Sequence, residues 1–319
     1  MNKFLLVDFG ASRIKSILYN KEDDSFSQPY EITSPLYNTD KLSKTVIKEN
    51  VEKIVDSYND LDAVVMCSIL GGHYYGDTYY SWKCENINHS CVEGDNEACL
   101  LHDIYNDGEI NGIKCYSSYG DTNCVIESRD IGLDEMLVNL GTGSQVISKK
   151  IFRFGTVYDT ISFIPSGRAL NVFDNFFKSI LYQIGMTGIS LFDKFKELTI
   201  EDLEKSSLEF DLNIFSKAHK FNGSGFIKNI LEDNFTIDNF ISSLFRSYIN
   251  QYITIINEVN RDSSTTRKIT KIYLSGGISK KHKLISEYIT YKTGIETCIN
   301  SDKYEDTHIG MRNMIRKGL

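Results

Sequence analysis

"YGDTNCVIESRDIGLDEMLVNLGTGSQVI", residues 119–147, is the stretch whose reading decides the fold. It holds an acidic residue behind a glycine, Gly120-Asp121, and some twenty residues later a turn of small residues, Gly141-Thr142-Gly143-Ser144. The turn separates two apolar runs, so residues 135–150 read as a strand, a tight turn and a second strand. Small residues carrying hydroxyl and N–H donors suit a phosphate. A carboxylate at that interval before such a turn needs a chemical reason.

The same plan recurs at the start of the chain. "KFLLVDFG" (3–10) reads as a buried strand ending in a turn, and "RIKSILYN" (13–20) as its hairpin partner. Leu42, Val46, Val51, Ile54 and Val55 form a rough helical stripe within 40–58. Buried strands are expected at 61–69 and 112–121, the second ending at Asp121, and an alternating strand at 156–164. Later segments are more helical. Residues 168–184 carry Leu170, Phe173, Phe177, Ile180, Leu181 and Ile184, and Thr199 with Asp202 forms a capping box. Residues 236–259 keep the three-four spacing of one buried face from Ile237 to Ile256. "KIYLSGGIS" (271–279) is a strand running into Gly276-Gly277, with a helix expected over 280–294. Two half-molecules of similar plan follow, with a boundary near 120–160.

The bulk composition limits the function classes. A chain of 319 residues with 41% hydrophobic content suits two domains. A net charge of -8 argues against a general nucleic-acid or anionic-membrane binder. No apolar run reaches the ~18 residues of a membrane span. The first residues read as a strand and not as a signal peptide. Seven cysteines without tight disulfide spacing point to reduced, cytoplasmic thiols.

Three glycine turns and two carboxylates carry the chemistry. Asp8-Phe9-Gly10-Ala11-Ser12 closes a strand, where Gly10 allows close backbone approach and Ser12 offers a hydroxyl. Asp8 at the strand end suits a hydrated Mg²⁺, although a D-x-G turn is also an ordinary hairpin. Gly276-Gly277, between strand and helix, allow either a flat ring against the backbone or close helix packing.

In their order, the three turns resemble those of the sugar kinase, Hsp70 and actin superfamily, and more specifically the FGGY carbohydrate kinases. The resemblance implies an α/β chain of two ribonuclease H-like domains with a central ATP and sugar cleft. It implies Asp121 as the general base, with Gly120 beside the acceptor. "CSILGGHYYGDTYYSWK" (67–83) is similar to the family's sugar-site stretch, which implies His73 and Trp82 at the acceptor pocket. "NLGTGSQV" (139–146) and "FIPSGRALNV" (163–172) resemble the sedoheptulokinase-like branch, the latter bringing Arg168 near the cleft. Lys15 matches the basic residue ending the first phosphate hairpin. The implied cofactors are ATP and Mg²⁺: Asp8 for the metal, Gly10, Ser12, Lys15, Gly141, Thr142, Gly143 and Ser144 for the phosphates, Gly276 and Gly277 for adenine and ribose. The implied domains are 1–133, carrying the sugar and first phosphate turn, and 134–319, carrying the nucleotide.

The chain departs from that pattern in being shorter than typical members. Ala11 replaces a usual Thr, and Cys84 stands where an Asp is usual after Trp82. The shortened acceptor region implies either a larger, more open pocket or a second subunit covering it, as in a homodimer. Several residues keep a structural alternative: Asp121 as a helix N-cap, His73 as a buried histidine, Trp82 as core, Arg168 as a surface ion pair. Cys84, His89, Cys91, Cys99 and His102 carry zinc-type ligands, but their spacing fits no standard zinc module. The expected activity is phosphorylation of a hydroxyl of a small sugar, ketose or polyol. The competing expectations are a nucleotide- or sugar-binding regulator that does not phosphorylate, and a chaperone-like ATPase.

Overall fold

The computed structural model describes residues 1–37, 39, 41–69, 72–81, 100–105, 108–153, 155–215, 223–261, 268–299 and 303–318, with His73, His102, Asp103, Ser118, Phe152 and Phe163 described in their backbone alone. The chain divides into two compact units. The first is Met1–Asp130 together with Asp302–Leu319; the second is Ile131–Ser216 together with Phe221–Ser301. The first change of unit, at 130/131, lies near the boundary expected at 133/134, and the chain returns to the first unit for its last helix. The last helix belongs with the first unit because its apolar face, Met311 and Ile315, packs into that unit's core.

The first unit is built on Lys3–Phe9, an apolar strand buried on both faces. It pairs antiparallel with Arg13–Asn20 and parallel with Ala63–Ser68, which pairs parallel with Ile113–Gly120. Short strands Ser25–Phe26, Tyr30–Thr33 and Glu109–Ile110 complete a seven-stranded sheet. Side-chain alternation divides the first strand between two cores. Leu5, Val7 and Phe9 face helix Lys44–Val55; Phe4 and Leu6 face Cys124, Met311 and Ile315. Asp8 continues the second set, so it points to the side covered by helices Asp121–Glu127 and Asp306–Lys317.

The second unit repeats the topology. Glu135–Leu140 pairs antiparallel with Gly143–Phe152, itself antiparallel to Gly155–Pro165. On the other side it pairs parallel with Lys271–Ser275, which pairs parallel with Glu296–Ile299. Helix Ile237–Arg261 buries Leu244, Phe245, Tyr248, Ile249, Tyr252 and Ile256 along the expected stripe. The capping box of Thr199 and Asp202 opens helix Ile200–Lys205.

Three expectations change. The first helix spans Lys44–Val55, with Leu42 in a preceding strand and Ile47 taking its place on the buried face. Helix Gly167–Gln183 buries Leu170 and Leu181 but leaves Ile180 exposed, with Ile184 beyond its end exposed as well. The helix over 280–294 is two helices, Gly277–Lys281 and Leu284–Thr293, broken at His282 (φ -130°, ψ 82°). His282 is inserted among Phe192, Phe195 and Phe245, with ring centroids 5.7–6.0 Å away, which favours leaving the helix path.

Candidate functional site

In each unit the expected residues lie at the C-terminal ends of parallel strands, where open α/β sheets bind ligands. In the first unit these ends carry Asp8, Ser68 and Gly120. Asp8 pairs across the hairpin with Lys15. Lys15 shares a sheet face with Ile17 and Tyr19, the face to which Asp8 also points. The Lys15 ammonium lies 2.8 Å from Glu305 Oε1. Burial opposes its charge, but Glu305, with Asp8 and Glu31, outweighs that and raises its pKa. The Thr307 hydroxyl donates to Asp8 Oδ2 at 2.9 Å. Burial pushes the Asp8 carboxyl above its ordinary value, against the pull of His308, Lys15 and the Thr307 hydroxyl. In the turn beyond, Gly10 N–H donates to Arg13 O at 3.0 Å, and Ser12 O accepts from Ser34 N–H at 3.1 Å.

Gly120 takes the N-cap position, so Asp121 is the first residue of helix Asp121–Glu127 and not its cap. Asp121 Oδ1 accepts from the Thr122 N–H at 2.6 Å and faces the Thr122 hydroxyl at 3.3 Å. Burial first, then the charge of Asp8, raises the Asp121 carboxyl to about 6. Two half-buried carboxylates in one electrostatic field, one poised near neutrality, are the arrangement expected of acid–base machinery.

In the second unit the turn 141–144 is clamped to the start of helix Gly167–Gln183. Gly141 O accepts from Gly167 N–H at 3.1 Å, and Thr142 O from Arg168 N–H at 3.0 Å. Among the described residues no peptide is cis. A trans peptide places the next N–H opposite its carbonyl, so the N–H groups of Thr142 and Gly143 point away from that helix. The Ser144 hydroxyl is turned inward: it is buried and accepts from Tyr252 OH at 3.0 Å. Ser166 Oγ and Tyr248 OH are 3.1 Å apart beneath the same connection, and Gln251 Nε2 donates to Pro165 O at 2.7 Å. Gly276, at φ +89°, crosses over Leu140, and a Cβ there would overlap the Leu140 backbone. Around Gly277 a Cβ would meet nothing within 4 Å. Arg168 stacks its guanidinium over Phe215, 4.8 Å to the ring centroid, so it is not a simple surface ion pair.

The structure therefore groups Asp8, Lys15, Gly120 and Asp121 in one unit, and Gly141, Thr142, Gly143, Ser144, Arg168, Gly276 and Gly277 in the other. Trp82, Cys84, His89, Cys91 and Cys99 lie outside the described residues, as do the side chains of His73 and His102. Among the described residues no group of His, Cys, Asp and Glu suits a metal ion by itself, and no helix is long and apolar enough to cross a membrane. Among the described residues, Cys67, Cys115, Cys124 and Cys298 form no disulfide. Sequence reasoning missed Glu305, Thr307, His308, Tyr248 and Tyr252. The tyrosines sit on a helical stripe and read as core. The first three act across some 290 residues of chain, which no local pattern reveals.

No protein-family model and no curated protein matches the sequence. Solved structures do match the fold. A xylulose kinase from Lactobacillus acidophilus aligns over 99% of this chain and 88% of that one, at a TM-score of 0.67 and 10% identity. A gluconate kinase from the same organism aligns over 98% and 88%, with a TM-score of 0.67 and 10% identity. A glycerol kinase from Plasmodium falciparum, solved with ADP, aligns over 98% and 88%, with a TM-score of 0.53 and 10% identity. The chain has the α/β fold of these kinases.

Proposed function

We propose that this protein is an ATP-dependent carbohydrate kinase, phosphorylating a hydroxyl of a small sugar, ketose or polyol. The observation that carries the reading is the pair of half-buried carboxylates at the ends of the two strands that flank Ala63–Ser68, with Asp121 raised to about 6. The fold of the xylulose, gluconate and glycerol kinases supports it, as does the ADP in the last.

The residues fit the implied cofactors. The Thr142 and Gly143 N–H groups both face away from the clamping helix, which suits donors to a phosphate. The clearance at Gly277 suits a base or ribose lying against the backbone. Asp8 offers a carboxylate whose Oδ2 is already held by Thr307. Bound ATP would supply the phosphoryl group and Mg²⁺ the neutralising charge. Asp121 does the proton work. Its Oδ1 is engaged by Thr122, which leaves Oδ2 to accept the proton of an acceptor hydroxyl. A pKa of about 6 keeps Asp121 mostly ionised at neutral pH and more basic than a free carboxylate. Gly120, at the N-cap, places that carboxylate at the strand end. His73, Trp82 and Arg168 are assigned to the sugar by the motif resemblance alone.

The test is ADP release with Mg-ATP across trioses to heptoses, ketoses, polyols and phosphorylated sugars, run beside Asp121→Asn. Sugar-dependent turnover that collapses in the variant, with ATP still bound, supports the kinase and identifies its substrate class. ATP binding without sugar-stimulated turnover, equal in both proteins, refutes the base assignment and leaves a nucleotide-binding regulator.

A further inference from the structure

The first turn of the C-terminal helix, Glu305-Asp306-Thr307-His308, spends its polar side chains on the first hairpin instead of on its own helix end. Glu305 occupies the N-cap, yet its side chain makes no cap hydrogen bond; its carboxylate holds Lys15 at 2.8 Å. Thr307, in a position where threonine hydroxyls commonly bond the local backbone, donates to Asp8 Oδ2 at 2.9 Å. His308 is buried, with Nε2 3.4 Å from the Lys15 carbonyl oxygen, so its ring N–H can donate to the hairpin backbone. Three side chains of one helical turn, Glu305, Thr307 and His308, thus converge on two residues that are neighbours across one β-pair, Asp8 and Lys15.

The helix carrying them is placed by a backbone contact. A Cβ at Gly310 would fall on the Cys124 carbonyl, so helix Asp306–Lys317 lies directly against helix Asp121–Glu127, which begins with Asp121. Thr307 is three residues from that contact. One close helix crossing therefore sets Thr307 relative to both carboxylates.

We propose that Thr307 is a positioning residue for Asp8: its hydroxyl pins the carboxylate through Oδ2 and so presents Oδ1 to a bound divalent cation. The proposal rests on the reading of Asp8 as the metal-holding carboxylate. The terminal torsion of an aspartate is broad and twofold, so an unpinned carboxylate samples many planes. A hydrogen bond from an outer partner selects one, which is how such partners tune metal sites, commonly by 10–100-fold in affinity. A merely structural Thr307 would instead contribute to stability and leave the metal dependence alone.

The experiment compares the full-length wild type with Thr307→Val, Thr307→Ser and Asp8→Asn. ADP binding is measured by calorimetry in EDTA and over a Mg²⁺ titration, and folding is checked by circular dichroism. Thr307→Val keeps the shape and removes the hydroxyl. It is expected to raise the Mg²⁺ midpoint by about 10–100-fold, with ADP affinity in EDTA unchanged and with kcat recovered at saturating Mg²⁺. Thr307→Ser restores the hydroxyl and the wild-type midpoint. A Thr307→Val midpoint equal to wild type overturns the proposal, as does a shift that Thr307→Ser reproduces in full. Asp8→Asn separates the two levels. If it abolishes the Mg²⁺ dependence while Thr307→Val does nothing, only the positioning role falls. If Asp8→Asn leaves the dependence intact, the metal assignment of Asp8 falls, and the positioning role with it.

Discussion

Asp121→Asn has a consequence for stability that is independent of any turnover. Asp121 keeps part of its surface exposed, and desolvation together with the charge of Asp8 raises its carboxyl from an ordinary 3.8 to about 6. A carboxyl raised in the folded state binds protons more tightly there than in the unfolded chain. Its stabilising contribution is full below the unfolded value and is lost as pH rises through about 6. A shift of about two units corresponds to about 3 kcal/mol by pH 7, and to about 1.5 kcal/mol at pH 5, where the unfolded chain is already mostly ionised. Asparagine carries no such charge and keeps an oxygen for the Thr122 N–H. In urea unfolding without metal or nucleotide, Asp121→Asn should therefore gain on wild type by about 1.5 kcal/mol between pH 5 and pH 7. The same group predicts an acid limb near pH 6 in kcat/KM of the wild type, absent from the residual activity of the variant. A stability difference that does not change with pH would refute the argument, because the carboxylate would then be solvated and the electrostatic case for Asp121 as a base would go with it.

Three further substitutions test the second unit. Gly276→Ala forces a side chain into a left-handed backbone and onto the Leu140 carbonyl, so it should destabilise by about 3 kcal/mol or more in urea unfolding. Gly277→Ala meets no atom within 4 Å; it should leave the fold intact and weaken ADP binding measured by calorimetry. Tyr252→Phe strands the buried Ser144 hydroxyl and should cost about 1–2 kcal/mol in the same unfolding assay, with a parallel loss of nucleotide affinity.

Much of the fold was legible because its signals are local. The runs at 3–10 and 135–150 show strand, turn and strand directly, and the stripe of 236–259 gives the buried face of its helix. The glycine turns were legible as well, since only small residues fit where Gly276 crosses Leu140. Other features depend on packing that the sequence does not display. Nothing in "HKLISEYI" announces that His282 will leave the helix path for a pocket of three phenylalanines. Ser144 looked like a phosphate donor, but Tyr252, 108 residues away, takes its hydroxyl inward. The return of the last helix to the first unit, with Thr307 on Asp8, was hidden for the same reason: the contact spans 299 residues.

The repeated topology gives the division of labour a physical basis. Leu6-Val7-Asp8-Phe9-Gly10 and Leu137-Val138-Asn139-Leu140-Gly141 occupy the same place, the end of the central strand before the hairpin turn. Across the hairpin, Asp8 faces Lys15, whereas Asn139 faces Gln145 and donates to its Oε1 at 2.8 Å. On the parallel neighbour, Asp8 meets Cys67 and Asn139 meets Ser275, whose hydroxyl lies 3.3 Å from Asn139 Oδ1. One unit thus holds an ionised pair at this position and the other a neutral amide pair with its hydrogen bonds closed among themselves. A carboxylate can bind a cation and, with Asp121 raised beside it, support proton transfer; an amide pair can do neither, but it brings no negative charge to repel a phosphate held by the following turn. On the proposed reading, charge chemistry falls to the first repeat and backbone recognition by Thr142, Gly143 and Gly277 to the second.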